Sequence, residues 1–102
     1  MKTAKMRGRF HVLKIDGVSE ERQGLIFFIC RNFRALSPEK RAILDELYAH
    51  VGGVNEAALR AVMETDDSFV KICREHYIAS ETTLVRLRVK FFQEFPLDEM
   101  IS

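Results

Sequence analysis

The side chains best suited to chemistry gather in the last third of the chain. Thr82, Thr83, Arg86, Lys90 and Gln93 fall on one side of a helical wheel drawn through residues 81–95. A guanidinium can bond a guanine edge through two parallel hydrogen bonds, and hydroxyl and ammonium groups serve phosphates or bases. The set suits recognition of double-stranded DNA; without such a partner it is a solvated helix face. Two other sets carry weaker signals. Asp66 and Asp67 are adjacent carboxylates beside a helix start. Acids there far more often complement the positive helix end than move protons or hold a metal. Cys30, Cys73, His11, His50 and His76 do not stand at the spacings of a zinc site, which needs about four ligands. The chain has no Gly-rich phosphate loop and no nucleophile elbow. The expectation is a protein that is not an enzyme and holds no metal or cofactor.

The other side of that wheel is apolar. Leu84, Leu87, Phe91 and Phe95 form one stripe, and Val85, Val89 and Phe92 a second beside it. Such a helix buries one face and exposes the other. Val85 stands at the margin, where it either touches a thymine methyl or joins the core. Arg88 falls between the two stripes and is expected to snorkel along them to the surface. Ser80 can cap this helix, with Glu81 in its first turn against the positive helix end. A shorter amphipathic segment, residues 68–77, precedes it across a break at Ile78-Ala79. Phe69, Ile72, Cys73 and His76 share one face of that segment. Two helices joined by so tight a turn make a helix-turn-helix shape.

Earlier elements are marked by their caps. Ser19 precedes Glu20 and Glu21, then a run containing Leu25, Ile26, Phe27, Phe28, Ile29, Phe33 and Leu36. A helix apolar nearly all round is buried on most sides, so residues 25–36 read as the central core helix. Alternatives are one stripe exposed at an interface, or a strand over residues 25–30, because short apolar runs are ambiguous. Ser37-Pro38 opens the next helix, since proline at the first helical position loses no hydrogen bond. Ile43, Leu44, Leu47, Tyr48 and Val51 recur at helical spacing, and Gly52-Gly53 ends the helix. Asn55 is expected to cap a short helix with Leu59, Val62 and Met63 facing inward, and Asp67 to cap the one after it. The pattern predicts an all-α fold of about five helices: a basic N-terminal arm over residues 1–18, and a helical domain over 19–102 with a C-terminal helix-turn-helix at 67–95.

The bulk composition agrees with a single soluble domain. The chain has 102 residues, 47% apolar and 30% charged. Its longest apolar run, residues 25–30, falls far short of the roughly 20 residues that span a bilayer. The N-terminus lacks a signal-type apolar stretch, so the expected location is cytoplasmic, with no membrane partner. Two cysteines and no Cys-x-x-Cys then read as reduced thiols rather than a disulfide. Net charge is only +1, but its distribution is uneven. Residues 1–34 hold eight basic and three acidic residues, residues 35–67 three basic and seven acidic, and residues 68–102 five of each. Lys2, Lys5, Arg7, Arg9 and Lys14 make the first stretch either a phosphate-contacting or minor-groove arm or a solvated tail.

Residues 67–92 resemble the DNA-binding helix-turn-helix of bacterial one-domain regulators and of region 4 of sigma factors. The matching residues are Ile72-Cys73 in the first helix, Ile78 in the turn, and Ser80-Glu81-Thr82-Thr83-Leu84-Val85-Arg86 opening the second. Many family members carry an Ala where Cys73 stands and Gly-Val where Tyr77-Ile78 stand. This chain lacks that glycine and carries one extra residue, Ala79, before Ser80. The whole chain is also similar to small helix-turn-helix proteins of bacterial mobile elements. The resemblance implies sequence-specific DNA binding in transcriptional or mobile-element regulation, with a recognition helix in the major groove. The implied DNA-facing set is Ser80, Glu81, Thr82, Thr83, Val85, Arg86 and Lys90, joined by Arg7 and Arg9 of the arm. Thr82 and Arg86 would read bases, and Thr83 and Lys90 would meet phosphates. A two-fold operator would engage a homodimer. The competing expectation is a helical protein–protein interaction module using the apolar 25–36 helix.

Overall fold

Capping serines start four of the helices. The computed structural model describes residue 15 and residues 17–102. Arg7, Arg9 and the rest of the proposed basic arm up to Lys14 lie outside the described residues. Among the described residues the fold is all-α: α1 Glu20–Arg31, α2 Pro38–Gly52, α3 Glu56–Glu64, α4 Phe69–Glu75, α5 Glu81–Glu94 and α6 Leu97–Ile101. Ser19 accepts a hydrogen bond from the Arg22 N–H, Ser37 from Lys40, Ser68 from Lys71 and Ser80 from Thr82, all at 3.1–3.3 Å. Each hydroxyl satisfies an amide that its helix cannot.

Two expected caps behave otherwise. Asn55 makes no side-chain capping bond. The chain enters α3 from a 3-10 turn, Gly53–Asn55, and the Glu56 N–H already bonds the Gly53 carbonyl. Asp67 is not the cap of α4; Ser68 is. The Asp67 carboxylate instead meets Lys71 Nζ at 3.2 Å, one turn on, so the neighbouring serine is left to take the amide.

The apolar run over residues 25–30 is helical, not extended, but its helix stops at Arg31 rather than reaching residue 36. Asn32 ends it by donating its side-chain amide to the Phe28 carbonyl at 2.8 Å. A 3-10 turn, Phe33–Ala35, follows. Leu36 and Ser37 are then extended, as the residue before Pro38 must be. Nor is α1 the centre. It buries Gln23, Ile26, Phe27, Ile29 and Cys30 but leaves Phe28 65% and Leu25 38% exposed.

The central element is α3, only nine residues long, which packs against α1, α2, α4 and α5. Ala58, Leu59, Val62 and Met63 on it are essentially inaccessible. Leu44, Tyr48 and Val51 of α2, Ile72 of α4, and Leu84, Phe91 and Phe92 of α5 complete the core. The Tyr48 and Phe91 rings stack at 4.9 Å between centroids, and Phe91 leans on Phe95 at 5.6 Å. Aromatic pairs at such distances add to the gain from burial itself. Arg60, on the outer side of α3, lies over the Tyr48 ring at 4.2 Å and the Phe33 ring at 5.3 Å. It also pairs with Asp45, Glu56 and Glu64. A planar guanidinium suits this double use.

At the N-terminal edge, the Val18 N–H bonds the Ile15 carbonyl at 3.1 Å, with Gly17 at φ +80°. Glycine reaches that φ without steric cost. The turn brings Val18 into the core with Ile15 packed against it. At the other end, a turn of helix that the sequence pattern did not announce, α6, buries Leu97 and Met100. No helix among the described residues is long and apolar enough to cross a membrane.

Cys30 is wholly buried at the end of α1, beside Tyr48. Burial pushes its thiol from 9.0 up to about 12. The folded protein therefore keeps a proton that the unfolded chain releases above pH 9.0. The contribution is complete below that pH and is lost as pH rises toward the folded value, by about 1.4 kcal/mol per pH unit. Denaturant unfolding between about pH 9 and 11 should show a shallower alkaline loss of stability for Cys30→Ala than for the wild type. Parallel curves would mean that the thiol is not shielded as described.

Candidate nucleic-acid interface

A helix can offer a binding face only if its other face is fixed. α5 rests on α2, α3 and α4 through Leu84, Arg88, Phe91 and Phe92, all buried. Leu87 packs against the same core from its margin. The side pointing away carries Thr82, Arg86, Lys90 and Gln93, all exposed, with Thr83 and Val85 half-buried at its borders. The division of the wheel into an apolar and a polar side is thus what the structure displays. Val85 belongs to both, half in the packing and half at the surface.

Arg88 departs from expectation. It does not snorkel to solvent: it is 2% exposed, with its guanidinium over the Phe69 ring at 5.6 Å. Burial lowers its pKa from the ordinary arginine value. Phe69 is the first residue of α4, and its ring face attracts a cation. Arg88 therefore ties the middle of α5 to the start of α4. A charge that the sequence would send outward helps hold the pair of helices together.

The turn between the two helices, residues 76–80, is built as a helix ending. The Ile78 N–H bonds the Cys73 carbonyl at 2.9 Å across Tyr77, which sits at φ +57°. This six-to-one bond around a left-handed residue is the Schellman arrangement, and glycine is its usual occupant. Tyr77 thus adopts the conformation that a turn glycine would supply. Left-handed backbone costs an ordinary L-residue roughly 1–2 kcal/mol. Ile72 on the inner face of α4 is buried, while Phe69, Cys73, His76 and Ile78 are half-buried. Ala79 is exposed and lies just before the cap.

Apart from Thr83 and Val85, half-buried at the borders of the exposed face, the expected site residues fall into three groups. Thr82, Arg86 and Lys90 come together on the exposed face, with Arg86 making no ion pair among the described residues and Lys90 only a loose one to Glu94 at 3.9 Å. Ser80 and Glu81 are exposed at the start of α5, but the Ser80 hydroxyl is already engaged as the cap. Arg7 and Arg9 lie outside the described residues. Two exposed residues that precede α5 in the chain were not singled out by the sequence pattern: Arg74 in the last turn of α4, and Tyr77, 94% exposed. Tyr77 could have been suspected from its place directly after a helix end, where glycine is the rule.

Other polar features lie elsewhere. Asp66 pairs with Arg31 and Asp67 with Lys71, so both adjacent carboxylates are held in ion pairs. The buried Tyr48 hydroxyl faces the Cys30 thiol and the Glu64 carboxylate, neither in standard hydrogen-bonding geometry. Burial raises the Glu64 carboxyl above its ordinary value, against the pull of Tyr48 and Arg60. A cleft of about 460 Å³ opens between the end of α1 and the end of α3, lined in part by Arg31, Arg34 and Glu64. None of the expected DNA-facing residues among the described residues lines it. No group of three or more His, Cys, Asp or Glu among the described residues could hold a metal ion. No family model, curated protein or solved structure matches the chain.

The cap of α5 can be weighed against that of α3. Ser80→Ala should lower stability by about 1 kcal/mol, whereas Asn55→Ala should change it little, because Asn55 makes no capping bond. Paired thermal melts check this; equal losses would show that the Ser80 hydroxyl does not anchor the helix.

Proposed function

We propose that α4, the turn at 76–80 and α5 form a DNA-binding helix-turn-helix, with α5 as the recognition helix entering the major groove. The protein is then a sequence-specific DNA-binding regulator of transcription or of a mobile element, acting in the cytoplasm and doing no catalytic chemistry. One observation carries the reading: α5 is anchored along one side while Thr82, Arg86 and Lys90 project from the other. A rigid helix with an exposed row of hydroxyl, guanidinium and ammonium groups is what groove reading needs. Arg86, exposed and without an ion pair among the described residues, is the base reader, with Thr82 one turn before it. Lys90 and Thr83 meet phosphates. Ser80 and Glu81 act at the helix start, Ser80 as the cap that sets the entry. Val85 offers a methyl surface at the edge of the contact. Arg7 and Arg9 add phosphate contacts from the arm. Palindromic sites would be bound by a homodimer.

The exposed Phe28 and Leu25, one turn apart on α1, favour a second reading in which α1 docks on a protein partner. The two readings differ in salt dependence. DNA binding weakens steeply as salt rises because counterions are released from the phosphates, while an apolar contact does not follow that law.

The test is selection of bound duplexes from random DNA, followed by binding of the selected site at several salt concentrations. Arg86→Ala should fold as the wild type does, lose about 1–3 kcal/mol of binding and relax preference at one position of the site. Unchanged affinity and preference would remove Arg86 as the reader. Failure of the wild type to enrich any sequence would remove the function.

A further inference from the structure

Tyr77 is disfavoured twice by folding alone. Its backbone sits at φ +57°, a region that suits glycine or asparagine and strains a bulky residue. Its ring is 94% exposed and makes no hydrogen bond or ring contact with any described residue. Glycine at this position would relieve the strain and leave the core untouched. Nothing in the packing calls for a tyrosine, so its value lies in what it presents outward. A phenol offers an apolar ring with a hydroxyl at its tip, which serves best against a partner that is partly polar.

We infer that Tyr77 seats the protein on the sugar–phosphate backbone of the DNA read by α5, its hydroxyl donating to a phosphate oxygen. The inference rests on the reading of α5 as a recognition helix. If the first turns of α5 enter the groove, the turn just before them lies at the groove's rim, where the backbone runs. Arg74, exposed in the last turn of α4 three residues before Tyr77 and without an ion pair among the described residues, adds positive charge at the same helix end. Tyrosine hydroxyls are ordinary phosphate donors, and such contacts fix orientation without identifying bases. The left-handed backbone keeps the phenol out of the turn's own packing. The conformation that burdens the fold thus aims the side chain.

The experiment compares the wild type, Y77F and Y77G on the selected duplex and on unrelated duplexes. All three should fold, because residue 77 touches none of the core. Y77G should melt a few degrees higher than the wild type, since glycine accepts the left-handed conformation. Both variants should bind about tenfold more weakly on every duplex, the loss expected for one hydrogen bond to a charged group, with the preferred site unchanged. Wild-type affinity in both variants would overturn the inference and leave the DNA reading standing. A loss confined to Y77G would overturn the phosphate bond, because the ring alone would then carry the contact. A changed site preference would overturn it too, making Tyr77 a base reader. A wild type that binds no duplex would overturn this inference and the DNA reading together.

Discussion

Everything in this fold leans on a helix too short to stand alone. An isolated helix of nine residues is unstable in water because its nucleation is costly and few bonds repay it. α3 persists because Ala58, Leu59, Val62 and Met63 are enclosed by four other helices. The dependence runs both ways. α1, α2, α4 and α5 each find in α3 the apolar surface that their own inner faces must cover, and the shared burial is the dominant favourable term. Loosening α3 would release the face that anchors α5, and the row of side chains on its other side would lose its alignment.

Polar groups refine this arrangement at its margins. Arg60 spans the gap between α3 and α2, stacked on Tyr48 and paired with acids on both helices. Arg88 does a similar job between α5 and α4, using the Phe69 ring. Each cation is held against an aromatic face, which tolerates a buried or half-buried guanidinium better than an aliphatic surface would. The end of α5 is fastened as well: Arg22 of α1 reaches the Phe95 carbonyl at 3.3 Å. The candidate recognition helix is therefore held at its middle and at its C-terminal end. Its N-terminal turn, with Ser80 to Thr82 exposed, is free to meet a partner.

Much of this was legible from residue chemistry. Ser19, Ser37 and Ser80 announce helix starts because a short hydroxyl beside a helical run has one dominant use, and the two-sided wheel of α5 needs only the helical period to be read. What was missed depends on neighbours that the chain does not reveal locally. Asp67 and Ser68 can each cap, and the choice fell to serine while aspartate paired with Lys71. The apolar run of α1 looked central, yet α3 takes the centre and leaves Phe28 exposed, because burial is set by which helices surround an element and not by its own composition. Arg88 looked bound for the surface until Phe69 gave it an inward partner. α6 is five residues long, too short for a periodic pattern to register. The exposed set on α5 was legible, but not the posture of Tyr77, which follows from the helix ending before it.

Amide chemical-shift mapping of the isotope-labelled protein on addition of a selected DNA duplex shows whether the exposed side of α5 is the binding face. Shifts should concentrate on Thr82, Thr83, Arg86 and Lys90 and on the turn before them, with α3 and the outer face of α1 unmoved. Shifts confined to the Leu25 and Phe28 face of α1, or none at all under low-salt conditions that favour phosphate contacts, would contradict that assignment.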